Sequence, residues 1–105
     1  MSTLSSNEGP IREPTSSEGI LKVSATSVPQ AVAASIAKSI FDDHHYPTLR
    51  AIGHGAIGQA AKAIAISRGI TAVRGIDLST IVGFETVINS EGHELSAIVF
   101  HTYPR

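Results

Sequence analysis

The sequence predicts an α/β protein of the α+β two-layer sandwich type: a four-stranded mixed sheet with two helices on one face, in the order β-α-β-α-β-β. Three observations carry this. Two short strand-like segments are each followed by an apolar stretch of helical length, the pattern of parallel strands joined by crossover helices. Two longer alternating runs flank a turn near the C-terminus, the pattern of a hairpin. The chain has 105 residues, 42% of them hydrophobic, enough for one modest core.

Residues 1–19, MSTLSSNEGPIREPTSSEG, are rich in Ser, Thr, Glu, Pro and Gly, with Leu4 and Ile11 the only sizeable aliphatics after Met1. Such a segment buries too little apolar surface to offset its ordering entropy, so it reads as a disordered tail. Deleting residues 1–18 should therefore leave the thermal midpoint of the remaining domain nearly unchanged. A large drop on scanning calorimetry would show that the tail docks.

The domain proper spans residues 20–105. Residues 20–25 (ILKVSA) alternate, with Leu21 and Val23 on one face and Lys22 and Ser24 on the other, and read as a strand. Ser27 is placed as an N-cap, with Gln30 completing a capping box and Pro29 in the first turn. The helix it opens runs to about Asp43, with Val32, Ile36 and Ile40 inward and Lys38 outward. The DDHHYP segment ends it, because a residue before proline avoids the α region.

Residues 48–52 read as the second strand and Gly53-His54-Gly55 as a turn. Residues 56–68 form a second helix closed by Gly69 at the C′ position. That helix is apolar nearly all round, which predicts burial on more than one side and so a subunit interface. A charge placed at Ala63 or Ile66 is expected to separate the subunits. Residues 78–88 and 94–103 then form a hairpin, with Gly83 marking a bulge or a close approach.

Composition limits the chemistry. Cysteine is absent, which removes disulfides and thiolate ligands. No membrane-spanning apolar run and no signal peptide are evident, so a cytoplasmic location is expected. The net charge is −1. The tail sums to −2 (Glu8, Glu13 and Glu18 against Arg12) and residues 20–105 to +1 (seven Lys or Arg against six Asp or Glu). A near-neutral domain argues against tight non-specific binding of nucleic acid by one copy.

No catalytic constellation emerges. There is no G-x-S-x-G, and the tail serines have no base beside them. Asp42, Asp43, His44 and His45 are adjacent in sequence, and neighbouring side chains on an extended segment diverge, so no metal site is expected. No cofactor motif is present: Gly53-His54-Gly55 matches neither the P-loop nor G-x-G-x-x-G. The turn does join a strand to a helix N-terminus, where backbone N–H groups and the helix dipole favour an anion.

The stretch GHGAIGQAAKAIAISRG (residues 53–69), with ILKVS before it and Gly75-Ile76-Asp77-Leu78 and Pro104-Arg105 after it, resembles the stage V sporulation protein S family. The resemblance covers residues 20–105. It implies an Alba-like fold (akin to the C-terminal domain of translation initiation factor 3), a homodimer or higher homo-oligomer, and a non-enzymatic regulator that binds nucleic acid. Gly58 stands where the family commonly has Asn. The hairpin tip of residues 89–94 is acidic, whereas Alba-type DNA binders carry a basic arm, and Gly53, His54 and Gly55 replace basic residues at the turn.

Two functions are therefore in view. In the first, Lys22, Ser27, Arg50, His54, Gln59 and Lys62 form a weak site for DNA or RNA, because the loops of residues 25–28 and 53–56 both follow parallel strands at one end of the sheet. In the second, the domain is a self-assembling scaffold that recruits protein partners, some through its tail.

Overall fold

The computed structural model describes residues 19–105, so the predicted tail lies outside the described residues except for Gly19. Ile20–Val23 forms β1, Pro29–Asp43 α1, Thr48–Ala51 β2, His54–Ala72 α2, Leu78–Ile88 β3 and Glu94–Pro104 β4. The four strands make one sheet in the order β1-β2-β4-β3. β1 and β2 are parallel, while β4 runs antiparallel to both β2 and β3. The mixed sheet with its two helices is the predicted architecture.

Registered neighbours share a sheet face, and this fixes where the core sits. Leu21 aligns with Leu49, Leu49 with Phe100, and Ala51 with Ile98. This face packs on Ile36 and Ile40 of α1 and on Ala56, Ala60, Ala63 and Ile64 of α2. The opposite face carries Lys22, Arg50, Val99 and His101 and has no helix over it among the described residues.

Several boundaries differ from expectation for identifiable reasons. Ser27 does not cap α1; Val28 is the N-cap, extended at φ −89° and ψ 119°, with no side-chain cap. Pro29 at the first helical position forces its predecessor out of the helical region, which moves the cap one residue past Ser27. The Ser27 hydroxyl instead accepts from the Ser24 N–H at 2.9 Å and holds the β1–α1 turn. At the other end α1 stops at His44, left-handed at φ 54°, with the His45 N–H bonded to the Ser39 carbonyl at 3.1 Å. Termination thus comes three residues ahead of Pro47 and is a backbone turn, not an effect of the proline.

α2 begins at His54, directly after Gly53 at φ 90° and ψ 157°, so the three-residue turn shrinks to one residue. It also runs through Gly69 to Ala72, and the glycine that turns the chain is Gly75, at φ 80°. A glycine inside a helix costs about 1 kcal/mol. Tertiary anchors around the last turns outweigh that cost. The Arg68 guanidinium donates to the Leu78 carbonyl at 2.8 Å and to Asp77 at 2.7 Å, and Arg74 lies 3.9 Å over the Phe41 ring.

One side of α2 is buried within the chain, while Ala61, Ala65, Ile66 and Ile70 on its other side are exposed. Ala56, Ala60, Ala63, Ile64, Ser67 and Thr71 form a single buried stripe, and the Ser67 hydroxyl donates to the Ala63 carbonyl at 2.8 Å. Small side chains let the helix lie close to the sheet and to α1. Ala63 is fully buried in this stripe, so a charge there unfolds the domain and does not report on subunits. Gly83 makes a close approach and no bulge: pairing from Leu78 to Ile88 is uninterrupted, and a Cβ on Gly83 would stand 3.1 Å from Val99.

Candidate nucleic-acid interface

β1 and β2 are parallel and in register, so the segments that follow them leave the sheet at the same end. Each leads into a helix, so α1 and α2 both begin at that end of the sheet. The start of α2 packs closely on the β1–α1 turn. A Cβ on Gly55 would lie 2.8 Å from the Ala25 Cβ, so only glycine permits this approach. The Gln59 side-chain amide donates to the Ala25 carbonyl at 3.1 Å and ties the two segments.

Neither helix start is neutralised from within the described chain. The N-caps, Val28 and Gly53, provide no side-chain cap, and no acidic residue occupies the first turn of either helix. Each free N-terminus is equivalent to roughly half a positive charge, so the pair presents about one unit. Hydroxyls gather beside it: the Ser24 Oγ lies 3.1 Å from Thr26 Oγ1 and 3.2 Å from Ser27 Oγ. Backbone N–H groups and hydroxyls of this kind are the donors that suit an oxyanion.

The six residues chosen from sequence divide into two groups. Ser27, His54 and Gln59 belong to the joined helix starts, and Lys62 is exposed two turns along α2 from His54, about 12 Å of helix rise. Gln59 serves as a strut, its amide nitrogen occupied by Ala25 and its Oε1 buried without a hydrogen-bond partner. Lys22 and Arg50 are register partners on the bare sheet face. There Arg50 is ion-paired to Glu85 at 2.8 Å, largely shielded from solvent. The alternation of β1 and β2 already encoded that separation, because Lys22 and Arg50 have the parity opposite to the core residues.

Sequence reasoning missed Ser24 and Thr26. The density of hydroxyls in Ser24-Ala25-Thr26-Ser27 immediately before a helix was the available signal. Among the described residues no group of three or more His, Asp or Glu side chains is arranged to hold a metal ion. His44 has a structural role as the α1 C-cap, and His93 faces Glu91 at 3.6 Å in the exposed hairpin tip. No helix among the described residues is long and apolar enough to cross a membrane.

Compared with known protein families, the chain matches the family model described as Stage V sporulation protein S (SpoVS) over residues 19–105.

Proposed function

The chain belongs to the stage V sporulation protein S family, and from that premise we propose that it is a non-enzymatic, sporulation-related regulator that binds DNA or RNA weakly where the start of α2 meets the β1–α1 turn. One observation carries the reading: the start of α2 packs on the β1–α1 turn at Ala25, and neither helix start has a side-chain cap or an acidic residue in its first turn. Their combined dipole supplies the positive potential that a domain charge of only +1 does not. Ser27 and the backbone N–H groups contact phosphate oxygens, Lys62 adds a flanking charge, and His54 adds another when protonated. Arg50, held by Glu85, contributes little, and Gln59 acts by fixing the two segments. The setting is the cytoplasm.

The expected affinity is micromolar or weaker at physiological salt, the range of non-specific phosphate contacts. Titrating the protein with short DNA and RNA at low salt should shift backbone amide signals in residues 24–28 and 53–57. The slope of log affinity on log salt should be shallow, roughly −1 to −2, since one or two phosphates are neutralised. Lys62→Glu should weaken binding by about tenfold, equivalent to about 1.4 kcal/mol. Signals that stay unmoved at low salt, or binding that Lys62→Glu leaves unchanged, would remove the proposal. The scaffold reading would then take its place.

A further inference from the structure

The two edges of the sheet are built differently. β1 is four residues long and presents the exposed charge of Lys22, so it offers little to a partner strand. β3 is eleven residues long, with no proline and no lysine, and its pairing to β4 runs without interruption. In an outermost strand alternate N–H and C=O groups point away from the sheet, a template for one more strand. Ile81, Val82, Phe84 and Ile88 are exposed by 59%, 60%, 66% and 62%. Val82, Phe84 and Ile88 lie on the helix-bearing face, and Ile81 lies on the opposite face beside His101. A helix laid on either face would leave part of this set uncovered, whereas a strand added alongside β3 flanks all four.

The charges of the hairpin have one sign. No lysine or arginine occurs between Arg74 and Arg105. Of the four acidic residues in that interval, Asp77 is bonded to Arg68 at 2.7 Å and Glu85 to Arg50 at 2.8 Å. The other two, Glu91 and Glu94, are exposed at the tip and pair with no lysine or arginine among the described residues. Glu91 faces only His93, at 3.6 Å. Glu94 is the register partner of Ile88, so its carboxylate sits on the same face as the exposed apolar row. The free edge is therefore apolar along its length and negative at one end.

We propose that this edge receives an extended segment of another protein as a fifth strand, apolar along its middle and carrying lysine or arginine where it meets the hairpin tip. This goes beyond the nucleic-acid reading and does not depend on it. Main-chain hydrogen bonds supply the affinity when a strand is added, and alternate side chains choose the partner. β-Branched side chains beside Val82 and Phe84 extend the apolar row, since aromatic and β-branched residues pair favourably across strands. A cation at the tip answers Glu91 and Glu94, and an acidic segment is rejected there. One short strand buries less than the roughly 800 Å² per partner of standard stable complexes, so the contact is weak and reversible.

The probe is a short synthetic peptide of alternating valine and threonine with paired lysines at both ends, titrated into the full chain at low salt. Backbone amide signals of residues 78–88 should shift, while those of α1 stay in place. The same peptide with glutamates for its lysines should bind about tenfold more weakly, and added salt should narrow that difference. Glu91→Gln combined with Glu94→Gln, both on exposed side chains, should bring the two peptides to within about twofold of each other. N-methylation throughout the valine and threonine stretch removes the backbone donors and keeps the charge, so it should abolish binding. Unmoved β3 signals, equal affinity for the two peptides, or full binding of the N-methylated peptide overturns the proposal. So does a β3 shift that follows protein concentration without any peptide, which would give the edge to a second copy.

Discussion

Leu49→Ala is expected to lower the unfolding free energy by about 2–5 kcal/mol, the range for truncating a fully buried leucine. Leu49 is wholly inaccessible to solvent on β2, between its register neighbours Leu21 and Phe100 and under both helices. Its β2 segment is four residues long, so few local contacts remain to offset the loss. Four of the ten other buried residues of that core are alanines, Ala51, Ala56, Ala60 and Ala63, and these small side chains cannot expand to refill the space. Against a total stability of about 5–15 kcal/mol for a domain of this size, such a change is severe. Urea denaturation followed by circular dichroism measures it. A loss below 1 kcal/mol, roughly, would mean that the helices collapse onto the cavity, and that the packing is softer than the burial implies.

Gly55→Ala should cost about 1–3 kcal/mol and also disturb the joined helix starts. The added Cβ meets the Ala25 Cβ at 2.8 Å and its Cα at 3.5 Å, so a backbone segment, not a flexible side chain, must move. Displacing Ala25 stretches its 3.1 Å bond to Gln59 and separates the start of α2 from the β1–α1 turn. Gly58→Ala, three residues on, is the matched control. Nothing lies within 4 Å of its added Cβ, and removing a helical glycine should stabilise the domain by up to about 1 kcal/mol. Thermal melts should therefore shift in opposite directions for the two variants. In nucleic-acid titrations Gly55→Ala should lose binding while Gly58→Ala keeps it. Equal melts would show that the two segments are not held as closely as the geometry requires.

Much of this protein was legible in its residues. The alternation of residues 20–23 and 48–51 and the apolar spacing of Val32, Ile36 and Ile40 are local patterns with a period of 2 or 3.6, and they gave the element order directly. The adjacency of the two loops was legible too, because short parallel strands joined by crossover helices send both loops to one end. The match to a family over residues 19–105 follows from the same stretch of sequence, centred on residues 53–69.

Tertiary structure decided what depends on contacts between distant residues. Gly69 looks like a helix terminator, and the helix passes through it because Arg68 and Arg74 are anchored to Asp77, Leu78 and Phe41. α2 looks apolar on every side, and the structure divides it into a buried stripe at Ala56, Ala60, Ala63 and Ile64 and an exposed side with Ile66 and Ile70. Arg50 looks available to a ligand, but Glu85, 35 residues away in sequence, neutralises it. The spatial order β1-β2-β4-β3, which leaves β3 at an edge, was likewise invisible, since no local pattern specifies which strand lies outermost. Periodicity and turn chemistry act over a few residues and are written in the sequence. Strand order, ion pairing and close approach arise only when remote segments meet, because they depend on contacts that no local pattern specifies.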